Sequence, residues 1–457
     1  MHILHLRFCI MKKSILFIAF FIGCGFTASA QNCDIGFLGT KTLYKASAQK
    51  ITPAPAGYKP VFINHVGRHG ARHLTKDVNT TLAYTLLWKA DSANALTAQG
   101  KQLKQMVNAL KKVEKGNTKN ISAEGADELS GLGVRICQHY SDAFGDKPIL
   151  NVGITKEVRT KQSADAFLKG LNSQLKSPAT ISEYNDDTDL RFYDASPAYK
   201  KFEDNVDNSA TTLALEKAAG LDEINNSFTL QFFNPGFLNG LSNDKKAKFT
   251  SDIFGFATIA FSLSNEIQQA GFKPADLGFK SFFTCDELNK LGMLDSADEN
   301  LKKGPATDNN GIQVRVAVPL LVNFINTTYE FIKTGKYNAQ LRFAHAETIS
   351  PFAALLQIAK ADKATTDIRQ IDNNWKASDV IPLSANIQWI FYKKKGVDGY
   401  LVKILLNEKE ARITGLNETS FPYYKWNDLR ALYINKLIKL NVKLTDDTCS
   451  YHPSALH

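Results

Sequence analysis

The chain has 457 residues, of which 44% are hydrophobic, and its formal net charge is +10. This length and composition indicate a well-packed globular core, either one large domain with an insertion or two domains. The basic residues are scattered without a block of five or six, which argues against a nucleic-acid-binding arm and fits attraction of a small polyanion into a basic cleft.

The first 30 residues are typical of a secretion signal. Residues 11–13 form a basic start, residues 14–22 are an apolar stretch too short to span a bilayer, and residues 28–30 read Ala-Ser-Ala, a small-residue cleavage site. We expect Met11 to be the true start and cleavage to precede Gln31. The mature chain would then be periplasmic or secreted, with a net charge of about +7 because the signal carries three basic residues and no acidic one.

An alternative for the same segment is lipid anchoring. The residues around Cys24 read Phe-Ile-Gly-Cys, which loosely resembles a lipoprotein box, and a lipid on Cys24 would hold the chain at an outer surface. No later run is long and apolar enough to predict a transmembrane segment.

The first motif with evident chemistry follows a strand-like run at residues 61–66. It reads Arg68-His69-Gly70-Ala71-Arg72. Arginine presents a planar fork of donors that matches phosphate oxygens, and histidine can act as a nucleophile near neutral pH. The motif therefore predicts a loop at which a phosphoryl group is gripped and attacked, although a solvated basic loop would have the same composition.

A metal site is a second interpretation of this stretch. His65, His69 and His73 are spaced by four, which on a helix would place three ligands on one face. Because Gly67 and Gly70 interrupt the stretch and the run before it is strand-like, we expect no metal here.

A third basic residue is predicted at the start of a helix. A short β-like run at residues 149–154 precedes Arg159, and apolar residues at helical spacing follow at 164–171. An arginine near a helix start lies beside unpaired backbone donors, which makes a natural anion site. The alternative is an arginine in an ordinary surface ion pair.

The middle of the chain, residues 176–337, is predicted to be mostly helical. Residues 249–270 and 313–334 carry Ile and Phe at a spacing of three to four. We therefore expect an α/β core formed by residues 31–175 and 338–457, with an α-helical cap of residues 176–337 inserted into it. A cleft between core and cap would be a natural place for a ligand.

A second apolar run ends in a histidine, at His345-Ala346-Glu347. In open α/β sheets, ligands bind beyond the carboxyl ends of the strands. Two strands that each end in histidine could therefore bring His69 and His345 to one crevice.

Four cysteines remain after the expected cleavage, which allows three pairings. Export permits disulfides. Cys33 and Cys449 lie near the two ends and are candidates for a bridge, with Cys285 the remaining cysteine, while Cys137 lies in an amphipathic helical pattern typical of a free core thiol.

Together, Arg68-His69-Gly70-Ala71-Arg72, His345-Ala346-Glu347 and Arg159 followed by Ser163-Ala164 and Phe167 resemble the histidine acid phosphatases, the branch 2 histidine phosphatases. The His-Ala-Glu form resembles their multiple inositol polyphosphate phosphatase subset. The resemblance runs from about Lys59 to about Leu432. It implies a phosphoglycerate mutase-like core sheet with helices on both faces and a smaller α-domain. The proline that usually follows the first motif is absent, since that position is His73 or Leu74.

The resemblance implies hydrolysis of a phosphomonoester in two steps, without a cofactor or metal. His69 would become phosphohistidine, and Glu347 would protonate the leaving oxygen and then activate water. Because nearby substrate phosphates would raise the pKa of Glu347, we expect an acidic optimum. The oxygens of the phosphoryl group would be held by Arg68, Arg72, Arg159 and His345, and a second substrate phosphate would be bound by Thr75 and Lys76.

For the substrate, the resemblance points to inositol hexakisphosphate and lower inositol phosphates. A broad-specificity acid phosphatase is the alternative, followed by a non-catalytic inositol phosphate-binding protein, which would have no use for a nucleophile and an acid together. We expect a monomer without a nucleic-acid partner. The preferred isomer, the position cleaved first and the disulfide pairing stay open.

Overall fold

The computed structural model describes Cys33, residues 35–444 and Cys449–Ser450. The strands within these residues are β1 (Tyr58–Arg68), β2 (Ile149–Ile154), β3 (Thr180–Asn185), β4 (Ala339–Ala344), β5 (Asn386–Lys394), β6 (Leu401–Leu406), β7 (Lys409–Glu410), β8 (Tyr424–Lys425), β9 (Lys443–Leu444) and β10 (Cys449–Ser450). Eight of them form one sheet in the order β3-β2-β4-β1-β5-β6-β7, with β8 paired to β6, and β9 pairs with β10.

Helices fill most of the connections between these strands. The α-helices are α1 (Leu82–Ser92), α2 (Ala98–Val113), α3 (Ala123–Phe144), α4 (Val158–Asn172), α5 (Asp187–Leu190), α6 (Phe192–Ala195), α7 (Pro197–Asp207), α8 (Ala210–Ala219), α9 (Leu221–Leu230), α10 (Pro235–Leu238), α11 (Asn243–Ile259), α12 (Ser264–Gln269), α13 (Cys285–Lys303), α14 (Ile312–Arg315), α15 (Val318–Thr334), α16 (Ala346–Leu355), α17 (Ile371–Asn374), α18 (Ala377–Val380) and α19 (Trp426–Lys439). Short 3₁₀ helices span Ile35–Lys41, Val78–Thr80, Ala260–Ser262, Pro274–Leu277, Phe279–Phe282, Ile368–Gln370 and Glu418–Ser420. Within the described part of the chain, none of these helices has both the length and the apolar character needed to cross a bilayer.

The centre of the sheet is parallel. Strand β1 runs parallel to β4, β4 to β2, and β2 to β3, whereas β1 pairs with β5 in the antiparallel sense. Arg68 lies opposite Ala344 in this register. The carboxyl ends of β1 and β4 therefore meet at one edge of the sheet, immediately before His69 and His345.

Both faces of the sheet are covered by helices, which confirms the predicted fold class. Successive residues of a strand point to opposite faces. Accordingly, Phe62 packs in the core that contains α15, α16 and α19, while Ile63 packs in the core that contains α3 and α4. Strand β1 is fully buried from Phe62 onward, as expected for a strand covered on both faces.

A third core is mainly helical and combines α1 and α2 with α9, α11 and part of α13. The division into core and cap at residues 176–337 stays a prediction. The helices and strands that pack together form groups with different boundaries. Helices α1 and α2 precede the predicted cap but pack with its helices, whereas β3 and α15 lie inside the predicted range but pack with the sheet.

Two predicted helices are interrupted. Residues 249–270 are divided among α11, a 3₁₀ turn and α12, and residues 313–334 among α14 and α15. The second break coincides with Pro319 at the start of α15. Proline lacks a backbone N–H and favours the first turn of a helix, so it starts a new helix instead of continuing the old one.

The disulfide joins Cys33 to Cys285. The suggested bridge between Cys33 and Cys449 is therefore wrong, because α13 begins with Cys285 and packs against the segment that follows Cys33. Cys137 is a buried free thiol, as predicted. The predicted signal segment and Cys24 lie outside the described residues.

Helices α3 and α4 cross so closely that glycine is required on both. A Cβ on Gly133 would lie 2.1 Å from the carbonyl oxygen of Phe167, and one on Gly170 would lie 2.0 Å from that of Ser130. We expect Gly133→Ala to lower the free energy of unfolding by about 1–3 kcal/mol, since the backbones must separate. Urea unfolding measures the change.

Gly131→Ala on the same helix is the matched control. Its Cβ would meet only the flexible end of the Arg135 side chain. Alanine favours a helix over glycine by about 1 kcal/mol, so this control should be neutral or stabilising. Equal losses in both variants would contradict the close crossing as the cause.

Candidate active site

Two strand ends bring His69 and His345 together. The His69 backbone N–H donates to the carbonyl oxygen of Ala344 at 3.0 Å, and the two imidazole centroids are 5.7 Å apart. Both histidines are buried. The sequence pattern had placed these two residues at the ends of separate strands, and the parallel pairing of β1 and β4 makes them neighbours.

The hydrogen bonding of His69 defines which ring nitrogen is available. Its Nδ1 lies 3.0 Å from the carbonyl oxygen of Gly70. Because a carbonyl only accepts, Nδ1 carries the hydrogen and Nε2 keeps its lone pair. Burial, followed by the charges of Arg68 and Arg72, holds the pKa of His69 well below its usual value, so the ring is neutral and nucleophilic.

Two guanidiniums near this ring have unused donors. Arg68 donates through Nη1 to the carbonyl oxygens of Thr40 at 2.7 Å and Ile381 at 2.6 Å. Arg159, the second residue of α4, donates to Glu157 at 2.7 Å. Among the described residues, the buried Nε atoms of Arg68 and Arg159 have no hydrogen-bond partner. Buried donors of this kind are costly unless a ligand satisfies them.

Arg72 adds a third cation. It donates to the carbonyl oxygen of His73 at 2.8 Å, and burial together with Arg68 and Arg159 lowers the pKa of Arg72 to about 10. The mutual repulsion of these three guanidiniums shows that they share one electrostatic field. Such a field favours an anion with several oxygens.

The ring of His345 is fixed from both sides. Arg159 Nη2 lies 3.2 Å from Nδ1, and Thr155 Oγ1 lies 3.1 Å from Nε2. Arginine only donates, so Nδ1 accepts and Nε2–H donates to the threonine. Burial and then Arg159 lower the pKa of His345 to about 3, which keeps this ring neutral as well.

Thr155 was missed by the sequence analysis although a signal existed. It follows directly after β2, whose carboxyl end lies at the same edge of the sheet as those of β1 and β4. A threonine does not stand out as a chemical group, so only the strand-end rule could have found it.

Glu347, the second residue of α16, is paired with an unpredicted lysine. Its Oε1 lies 3.1 Å from Nζ of Lys303. Burial alone would raise the pKa of Glu347, but the charge and hydrogen bond of Lys303 lead the effects that outweigh burial and hold that pKa below the usual value. In the free protein Glu347 is therefore a carboxylate. Lys303 ends α13, and nothing in its local sequence marks it.

The first motif is anchored by Glu128 of α3, which the sequence analysis did not single out. Its carboxylate accepts from the Ala71 N–H at 2.9 Å, the Tyr44 N–H at 2.7 Å and the Ser384 hydroxyl at 2.7 Å. Three loops of the site therefore meet at one buried side chain.

Other predicted residues take no part in these hydrogen bonds. Thr75 and Lys76 occupy an exposed bend. His65 is buried against the rings of Phe167 and Phe343, and His73 Nδ1 lies 3.2 Å from Glu114. Only His65 lies in β1, where four residues span about 13 Å, so the three histidines do not gather as they would on one face of a helix. In the described part of the chain, no three His, Cys, Asp or Glu side chains gather as metal ligands.

Comparison with known proteins gives this arrangement a family. The model of the histidine phosphatase superfamily (branch 2) matches residues 61–407. Multiple inositol polyphosphate phosphatase 1 of Gallus gallus is 21% identical over 434 residues, which cover 87% of this chain and 89% of that protein.

Solved structures show the same fold. The multiple inositol polyphosphate phosphatase of Bifidobacterium longum, in complex with inositol hexasulfate, superposes with a TM-score of 0.73 at 22% identity, over 86% of this chain and 96% of that one. The phytase of D. castellii superposes with a TM-score of 0.60 at 15% identity, over 88% and 85% of the two chains. With the family model spanning most of its length, this chain belongs to branch 2 of the histidine phosphatase superfamily.

Proposed function

We propose that this phosphatase hydrolyses inositol polyphosphates, including phytate, through a phosphohistidine intermediate. The observation that carries the proposal is the neutral His69, with Nε2 free, beside three guanidiniums, two of which, Arg68 and Arg159, retain a buried unpaired donor. The choice of substrate is supported by the similarity to multiple inositol polyphosphate phosphatases, one of which was solved with inositol hexasulfate.

The first step transfers the phosphoryl group to His69. Nε2 attacks phosphorus, and the bond from phosphorus to the ester oxygen breaks. Arg68, Arg72 and Arg159 stabilise the charge on the non-bridging oxygens. His345 would join them by turning its Nε2–H from Thr155 to a phosphate oxygen. Helices α4 and α16 begin next to Arg159 and His345, and the backbone donors of a helix N-terminus favour an anion.

Glu347 gives its proton to the leaving alkoxide oxygen and is left as a carboxylate. In the second step the carboxylate accepts a proton from water, and the resulting hydroxide attacks phosphohistidine. The P–N bond breaks and inorganic phosphate leaves. Because the free protein holds Glu347 ionised, the proton must be gained when the polyanionic substrate raises its pKa, which favours an acidic optimum.

Thr75 and Lys76 stay candidates for contacts to a second substrate phosphate, since an exposed bend next to the motif is accessible to a large ligand. The enzyme is proposed to act outside the cytoplasm. The predicted signal segment and the disulfide between Cys33 and Cys285 support export.

The test is phosphate release by the chain beginning at Gln31 from inositol hexakisphosphate, glycerol 2-phosphate and nitrophenyl phosphate, from acidic to mildly basic pH. We expect inositol hexakisphosphate to give the highest kcat/KM and an acidic optimum. Equal kcat/KM values for the three esters would instead favour the broad-specificity acid phosphatase. Tight binding of inositol hexakisphosphate without release of phosphate from any ester would indicate a binding protein.

A further inference from the structure

Glu347 is one of three charged side chains in a row. Lys303 Nζ lies 3.1 Å from Glu347 Oε1 and 2.8 Å from Glu299 Oε2. Glu299 and Lys303 are four residues apart on α13 and so share a face of that helix. Their side chains are 16% and 9% exposed, against 35% for Glu347. The lysine is thus the most enclosed member and lies between two carboxylates.

We propose that Lys303 and Glu299 are positioning residues for the proton transfers of Glu347. Lys303 is shared by both carboxylates when Glu347 is ionised and is held by Glu299 alone when Glu347 is protonated. The inference rests on the proposed role of Glu347 as acid and base. Phosphoryl transfer does not itself require Lys303 or Glu299, and the proposal explains why these two charged groups lie beside Glu347.

The need for Glu299 follows from the burial of Lys303. An ammonium removed from water is unfavourable unless it stays paired. Burial would lower the pKa of Lys303, but Glu299 and then Glu347 outweigh it and hold that pKa well above the usual value. If Glu347 were the sole partner, its protonation would strand a buried cation. Glu299 removes that obstacle, so Glu347 can gain and lose a proton while Lys303 stays charged.

Lys303 and Glu299 shift the pKa of Glu347 in opposite directions. The cation of Lys303 favours the carboxylate form, whereas the negative charge of Glu299 weakens that effect. Other titratable groups within electrostatic range of Glu347 include His345, Arg68, Arg72, Tyr193, Tyr199 and Glu203. Glu299 is hydrogen-bonded to Lys303, whereas these groups act on Glu347 only through their charge. Removal of Lys303 or of Glu299 should therefore shift the pKa of Glu347 in a direction that can be stated in advance.

The experiment compares Lys303→Met and Glu299→Gln. The readout is the single-turnover rate of glycerol 2-phosphate cleavage against pH, with the enzyme in saturating excess, because a poor leaving group needs the acid and this rate reports the pKa of Glu347 with substrate bound. Activity falls as pH rises and Glu347 loses its proton. In Lys303→Met that fall should move to higher pH by at least about one pH unit, and in Glu299→Gln it should move to lower pH.

Two controls separate this effect from general damage. Lys302 pairs with Asp298 at the same spacing on the same helix, so Lys302→Met and Asp298→Asn remove a matched ion pair one position away. These two variants should not change the pH at which activity falls. Nitrophenyl phosphate, whose leaving group needs little protonation, should show no shift in any variant.

Opposite shifts in the two variants support the proposal. Shifts of the same sign, no shift, or an equal shift in the controls would overturn it. If Lys303→Met does not fold, the downward shift in Glu299→Gln decides alone.

If the parent hydrolyses only nitrophenyl phosphate, the proposed function fails instead. The carboxyl ¹³C signal of Glu347, titrated by NMR in the parent and in Glu299→Gln, then tests the coupling, and a midpoint that does not fall would reject it.

Discussion

Replacement of His69 by alanine is expected to lower kcat for every phosphomonoester by at least about 10⁴-fold. The Nδ1–H of His69 is committed to the Gly70 carbonyl, so Nε2 is the atom that must attack. Neither water nor the neutral His345 can replace it, because His345 donates through Nε2 to Thr155 and accepts through Nδ1 from Arg159. Initial rates with inositol hexakisphosphate and nitrophenyl phosphate measure the loss.

His139→Ala is the control, since this exposed histidine lies on α3 away from the motif. It should keep the parent rate. Acid-sensitive phosphate that remains on the protein after rapid quenching should be present in the parent and absent in His69→Ala. Labelled phosphohistidine in the variant, or activity near that of the parent, would show that another residue is the nucleophile.

Glu347→Gln should have an effect that depends on the leaving group. With glycerol 2-phosphate or inositol hexakisphosphate the first transfer needs a proton donor, and we expect a loss of about 10²–10⁴-fold. With nitrophenyl phosphate the first transfer needs little help, but the second still needs a base. Stopped-flow measurements should therefore show a burst of about one equivalent of nitrophenol, followed by slow turnover.

The control for this substitution is Glu203→Gln. Its carboxylate lies in the same electrostatic neighbourhood, near Lys303 and Glu347, but it has no place in the proposed proton transfer. It should change neither the burst nor the steady rate by more than a few-fold. Equal losses with both classes of ester in Glu347→Gln would argue that Glu347 supports the site instead of moving a proton.

The sequence allowed the two strand ends and the α/β class to be predicted because they depend on local patterns. An apolar, β-branched run that stops at a histidine is visible without knowledge of the fold, at residues 61–66 as at Gln340–Ala344. Arg159 was likewise found from the helix start that follows β2. These residues lie together because parallel strands deliver their ends to one edge.

The residues that were missed depend on contacts between distant segments. Lys303 reaches Glu347 only because α13 packs beside α16, and no spacing in the chain encodes that approach. The partner of Cys33 is fixed in the same way, by the place where α13 begins. Local periodicity also overestimated the length of helices. The apolar spacing of residues 313–334 continues past Pro319, although this proline begins a new helix.

The pairing of β1 has a consequence for the order of folding. Its two neighbours in the sheet are β4 and β5, both of which follow residue 338. At a synthesis rate of about 5–20 residues per second, β1 waits tens of seconds for either partner to be made. During that time the backbone N–H and C=O groups along both edges of this largely apolar strand are unpaired, and closing so long a loop makes formation of the sheet slow. The nascent chain therefore depends on being kept from aggregation until its last third has been synthesised.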